Sequence, residues 1–150
     1  MSLKHLVRVY YSLCNPENMI SETPFHEFVE YSPDWIWQVN LEGVYTFSNP
    51  VVFDVLGYTR EEVLGKTPFD FMPADEAERI MGLFQKILET RQPFKNLVNV
   101  NRHKDGHLVT LQTSGVPIFS KTGELLGYHG IDRDITAEIN HDKLLRAVID

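Results

Sequence analysis

The apolar and polar positions of this chain change period several times, and each change marks an element. Trp35, Trp37 and Val39 alternate with Ile36, Gln38 and Asn40, the two-residue period of a strand. Glu42-Gly43 supplies a turn and Val44 to Phe47 returns, so the stretch predicts a hairpin. Asn49-Pro50 is expected to cap a short helix carrying Val51, Val52, Val55 and Leu56, with Gly57 as its left-handed stop. Thr59 followed by Glu62 reads as a capping box, opening a helix that Gly65 closes. The stretch KTPFDFMPADE holds two prolines and is expected to be irregular. From Asp75 to about Thr90, Ile80, Met81, Phe84, Ile87 and Leu88 form the apolar stripe of a longer helix. Three strands are predicted next: Phe94 to Asn101, Leu108 to Phe119 with a bend near Gly115-Val116-Pro117, and Leu125 to Asp132. The turns between them are Lys104-Asp105-Gly106 and Thr122-Gly123. A final helix opens at Ile135-Thr136, and Ile139, Leu144, Leu145, Val148 and Ile149 give it an uneven stripe suited to a partner helix.

Upstream, residues 1–22 read as a lead-in or linker. His5 to Leu13 suits either an amphipathic helix broken by Asn15-Pro16 or a disordered tail. Thr23-Pro24 starts a helix in which Phe25, Phe28 and Val29 recur at helical spacing, and Ser32-Pro33 ends it. Runs of strands flanking a helical block give an α+β class, with an antiparallel sheet and helices on one face.

Composition narrows the function. A chain of 150 residues suits one domain with tails. A formal net charge of −7 argues against nucleic-acid binding and offers nothing to an anionic membrane surface. The single cysteine, Cys14, excludes an internal disulfide framework and fits a reducing, cytoplasmic setting. No apolar run approaches the ~20 residues of a membrane span, and the opening MSLKHLVRVYYSL lacks the features of a signal peptide.

The phrases SPDWIWQVNLEGVYTFSNP, VLGYTREEVLGK and RHKDGHLVTLQTSGVPIFSKTGELLGYHGIDRDIT, in this order from Ser32 to Thr136, resemble the PAS sensor domain of signal-transduction proteins. The resemblance implies a five-stranded antiparallel sheet with a helical face, cupping a small cavity, over residues 23–136. Residues 137–150 would then begin a signalling helix leading to an output domain such as a histidine kinase, diguanylate cyclase or transcription regulator. In that family an Asp-x-Thr at the end of the last strand joins sheet to helix. Here the junction would comprise Asp132, Arg133, Asp134 and Thr136, with Asp134 or Thr136 capping the helix and Asp134 holding a basic neighbour such as Arg133. The partners implied are a small-molecule ligand, a second copy joined through the flanking helices, and the covalently linked output domain. A ligand-free dimerisation or protein-interaction module is the other reading.

The cavity would be lined by Trp37, Val39, Phe47, Phe53, Leu56, Phe69, Phe71, Ile80, Met81, Phe84, Val98, Leu111 and Ile131, with Asn96, Gln112, Ser114 and His129 as polar positions. A packed core is the commoner fate of such residues. Covalent flavin photochemistry is excluded, because the stretch GKTPFDFMPAD lacks the family's reactive cysteine. Haem is disfavoured by the absence of histidine from Asp75 to Thr90, while non-covalent flavin between Trp35 and Trp37 stays open. His103 and His107 flank a turn, but two ligands make no structural zinc site, so no metal is expected. His141-Asp142 lacks the sequence that follows a kinase phosphoacceptor histidine. No phosphate-cradling glycine loop or nucleophile elbow is present, so catalysis by this segment is not expected.

Overall fold

The computed structural model describes residues 2–6 and 22–149. Residues 3–6 are helical; the remainder of the expected His5–Leu13 helix lies outside the described residues. The elements that follow are α1 (Glu22–Glu30), β1 (Trp35–Asn40), β2 (Tyr45–Ser48), α2 (Val52–Leu56), α3 (Arg60–Val63), a 3-10 turn (Pro68–Phe71), α4 (Ala74–Thr90), β3 (Phe94–Arg102), β4 (Leu108–Phe119), β5 (Leu125–Asp134) and α5 (Thr136–Ile149). The five strands form one antiparallel sheet in the order β2-β1-β5-β4-β3. The last strand is therefore the central one, paired on both sides.

Two rows across this sheet explain its inner face. Trp37 pairs with Gly130, Gly130 with Gly115, and Gly115 with Phe94. The two glycines are space holders: a Cβ on Gly130 would lie 2.0 Å from the Trp37 ring, and one on Gly115 would lie 2.6 Å from the Phe94 ring. Two aromatic side chains thus lie flat over the middle of the sheet. The neighbouring row runs Trp35, Asp132, Thr113, Leu97. Over one end of this face sits a core of Trp35, Tyr45, Val52, Leu56, Val63, Phe71 and Leu111. Each large apolar side chain so enclosed contributes about 1.5–3 kcal/mol relative to exposure.

Local chemistry sets the helical layer. Gly57 ends α2 at φ 80°, a conformation costly for other residues, and its N–H donates to the Phe53 carbonyl. The Thr59 hydroxyl accepts from Glu62 N–H and starts α3; the Glu62 carboxylate, the other half of the expected box, pairs with Lys104. The KTPFDFMPADE stretch is more ordered than its prolines suggest. Thr67 N–H donates to the Asp70 carboxylate at 2.8 Å, which closes the 3-10 turn. Helix α4 is fastened to the sheet edge by Glu76, which accepts from Val100 N–H at 2.7 Å and pairs with Arg79 at 2.6 Å. The Arg79 hydrogen bond holds this carboxyl below its ordinary range; burial opposes it and the Val100 amide assists.

Asn49 departs from the expected cap. Val51 occupies the N-cap position of α2, with no side-chain bond. Asn49 is fully buried and acts as a three-way clasp: Oδ1 accepts from Ile36 N–H, and Nδ2 donates to the Val29 and Asp34 carbonyls. Buried backbone groups of both signs need partners there, and an amide carries both donor and acceptor. Register shifts occur between Phe94 and Leu97, opposite Gly115 to Thr113, and between Ile118 and Phe119.

Candidate functional site

Between the inner sheet face, α4 and the 3-10 turn lies a cavity of about 60 Å³. Trp37, Val39 and Tyr128 form its floor, Phe69, Ile80 and Phe84 its roof, and Phe94 and Leu97 one wall. Asn99, Asn101, Thr113 and Asp132 bring polar groups to it. Three of these are mutually tied: Asn101 Nδ2 donates to Asn99 Oδ1 at 2.7 Å, and Asn99 Nδ2 donates to Thr113 Oγ1 at 2.8 Å.

The two indoles on β1 have different fates. Trp35 is buried and its Nε1–H donates to Ser48 Oγ at 2.9 Å. Trp37, two residues on and on the same face, is 6% exposed, and its Nε1–H has no partner. Asp132 Oδ1 is also buried and unpartnered. Leaving a buried polar atom unpaired costs about 1–3 kcal/mol, so an unpaired donor and an unpaired acceptor on two residues lining one cavity are unusual. Burial pushes the Asp132 carboxyl up to about 7, and the Thr113 and Trp37 side chains pull the other way. The Trp37 indole lies near enough to Asp132 to favour the carboxylate, but the pair falls outside hydrogen-bond geometry. Burial, and secondarily the Asp132 charge, raises the Tyr45 hydroxyl well above its ordinary range.

Of the sequence candidates, Trp37, Val39, Phe69, Ile80 and Phe84 line this cavity. Leu56, Phe71 and Leu111 belong to the adjoining packed core. Phe53, Met81 and Val98 are exposed, at 57%, 43% and 42%. Phe47 and His129 instead line a groove on the outer sheet face with Leu3, Leu6, Phe25, Val29 and Ile36, and Ile131 borders that side as well. Asn96 is exposed at φ 57°, its N–H donating to Ser114 Oγ. Gln112 and Ser114 are partly buried and outside the cavity lining. Asn99, Asn101 and Thr113 were not among the sequence candidates, and alternation from Leu111 would have indicated Thr113.

The strand-to-helix junction is built from the expected residues with altered roles. Asp132 faces the cavity. Two residues on, Asp134 Oδ1 accepts from Thr136 N–H at 2.9 Å and from the Thr136 hydroxyl at 2.6 Å. Thr136 Oγ1 in turn accepts from Thr110 N–H at 2.9 Å, which ties the helix start to β4. Arg133 pairs with Glu138 at 3.4 Å, not with Asp134. Asp134 spends its acceptor on the orphan amide, which has no other partner within the helix.

An isoalloxazine ring does not fit the cavity. About 60 Å³ accommodates only a few water-sized groups, and the three-ring flavin system is several times larger. Among the described residues no helix is long and apolar enough to cross a membrane.

Known proteins are similar to this chain in sequence and in fold. The chain is 27% identical over 103 residues to a diguanylate cyclase of Vibrio cholerae, covering 68% of this chain and 32% of that protein. It is 28% identical over 122 residues to a methanogenesis regulatory histidine kinase of Methanothrix harundinacea, covering 81% of this chain and 14% of that one. The crystal structure of a PAS domain from Colwellia psychrerythraea superposes with a TM-score of 0.70 at 24% identity, over 79% of this chain and 98% of that one. The family described as PAS fold matches residues 29–140, across the sheet, the cavity and the junction, and the chain belongs to that family as a sensory input domain.

Proposed function

We propose that this domain is a receptor for a very small molecule bearing an N–H donor beside a carbonyl acceptor, such as a primary amide, lactam or urea. The observation that carries this reading is the pair of buried, unpartnered atoms, Trp37 Nε1 and Asp132 Oδ1, on two residues that line the cavity. The indole would donate to the ligand carbonyl and the carboxylate would accept from its N–H, while Phe69, Phe84 and Phe94 enclose the apolar remainder. Occupancy would favour the ionised form of Asp132. Because Asp134 and Thr136 follow on the same strand end, a change at Asp132 reaches the α5 cap within two residues. A ligand shifts that junction only by its difference in affinity for the two arrangements.

In this reading the chain is a non-catalytic, cytoplasmic segment of a longer signalling protein, with 23–136 as the sensor and α5 leading to an output module. Leu144 and Leu145, 65% and 48% exposed, give α5 an apolar face suited to its counterpart in a second copy. The kinase and cyclase relatives support an output of that kind.

A ligand this small can gain at most about 1.5 kcal/mol per non-hydrogen atom, so binding is expected at micromolar or weaker affinity. Titration with acetamide, pyrrolidone and urea-type compounds, followed by ligand-observed NMR, should show saturable binding that Trp37→Phe and Asp132→Asn each reduce about tenfold or more, the worth of a single hydrogen bond to a charged or buried partner. Equal binding by parent and both variants would refute the site. In the longer protein, Asp134→Ala should change output while leaving ligand binding intact; unchanged output would reduce the junction to a plain cap.

A further inference from the structure

We propose that the β3–β4 turn is a binding site for a divalent transition-metal ion, separate from the cavity. The turn sequence is His103-Lys104-Asp105-Gly106-His107. His103 N–H donates to the His107 carbonyl at 2.8 Å and Gly106 N–H to the His103 carbonyl at 2.9 Å, so the hairpin closes with both histidines on one side. Their rings stack with centroids 4.4 Å apart and planes 21° apart. The turn residue Asp105 completes the set: its Oδ1 lies 3.2 Å from His103 Nδ1 and 2.5 Å from His107 Nδ1. One ligand atom from each of the three falls within 4.8 Å of the others. Among the described residues this is the one grouping of three such side chains that meets that spacing.

The chemistry selects the ion. Bonds of about 2.0–2.2 Å to nitrogen and oxygen place the ligand atoms of one ion roughly 3–4 Å apart. Two imidazoles and a carboxylate suit zinc, nickel, cobalt or copper; calcium and magnesium prefer oxygen alone. Three protein ligands leave coordination positions for water.

The platform is held from below. His103 is wedged against Gly57, where a Cβ would come within 2.5 Å of its ring. Lys104 N–H donates to the Leu56 carbonyl at 2.9 Å, and Lys104 Nζ is engaged by Glu62 at 3.1 Å. One ligand is thus fixed to the α2–α3 layer, while His107, 58% exposed, has room to tilt. Tilting is required, because each nitrogen lone pair lies in its ring plane and stacked rings do not converge. The ion would also replace Asp105 N–H, now donating to His103 Nδ1 at 3.1 Å. Neither histidine suggests this site alone; the turn recruits the third ligand.

Calorimetric titration of tag-free protein with Zn²⁺, and visible absorption with Co²⁺, test the assignment. One equivalent should bind. His103→Ala, His107→Ala and Asp105→Asn should each weaken it by at least about tenfold, the loss that even an outer partner of a metal site produces. Trp37→Phe should leave it unchanged, which separates this site from the cavity. Absence of saturable one-to-one binding, or parent-like affinity in the His103→Ala/His107→Ala double variant, would overturn the proposal.

Discussion

On β5, two ionisable side chains three residues apart meet the same physics on opposite faces of the sheet. Asp132 looks inward to the cavity, and burial pushes it up to about 7. His129 looks outward to the groove under α1 and residues 3–6, and burial lowers it to about 4. In both cases burial opposes charge. The consequences for stability have opposite signs, because one group is charged when it loses a proton and the other when it gains one. The inner face tolerates its expensive carboxyl in a wall with room for a ligand; the outer face keeps a neutral imidazole among apolar neighbours.

The largest test of that contrast is Asp132→Asn. In the parent the unfolded chain loses its proton near pH 4 while the folded state keeps it to about 7. Stability should therefore fall as pH rises across that window, by about 4 kcal/mol. Denaturant unfolding of the variant should lack this fall; an unchanged profile would mean that Asp132 is not the group responsible. His129→Gln is the mirror experiment. Here the unfolded chain binds a proton below about 6.5 that the folded state refuses until about 4. Stability should drop as pH falls through that range, by about 3 kcal/mol in the parent and not in the variant.

A smaller effect isolates the inner face alone. Gly130→Ala should cost about 1–3 kcal/mol, the usual range for overpacking, since its Cβ would collide with the Trp37 ring. It should also displace the indole and weaken amide binding; parent-like stability would show that the ring can move freely. Ser48→Ala removes the acceptor of the buried Trp35 N–H and should cost about 1–3 kcal/mol. Trp37→Phe breaks no such bond. If the two changes cost the same through polar effects, the distinction between a satisfied structural indole and an open receptor indole fails.

The elements were readable because helical and strand periods differ so clearly here, and the β1 pattern correctly placed Trp37 and Val39 inward. The polar wall was harder to read, for a specific reason. Counting by twos from Phe94 puts Asn96, Val98 and Val100 on the cavity face. The bulge between Phe94 and Leu97, with Asn96 at φ 57°, resets the phase so that Leu97, Asn99 and Asn101 face inward. A one-residue insertion flips every later side chain, and no local residue type announced it. On β5 the difficulty was hydrophobicity itself. Ile131 looks like a core residue and Asp132 does not, yet the outer face is also apolar because α1 and residues 3–6 border it. With both faces covered, alternation gives no sign of which is inside.

The central place of β5 has a further consequence, for synthesis of the chain. Its neighbours are β1, near the start of the domain, and β4, near its end. Until the segment ending at Asp134 leaves the ribosome, the N-terminal hairpin and the β3–β4 hairpin share no strand to join them. Closing so long a loop is entropically slow, and in the meantime β1 and β4 would each present an open edge that β5 later covers. The strand proposed to report ligand binding is thus also the keystone, added last, that completes the domain.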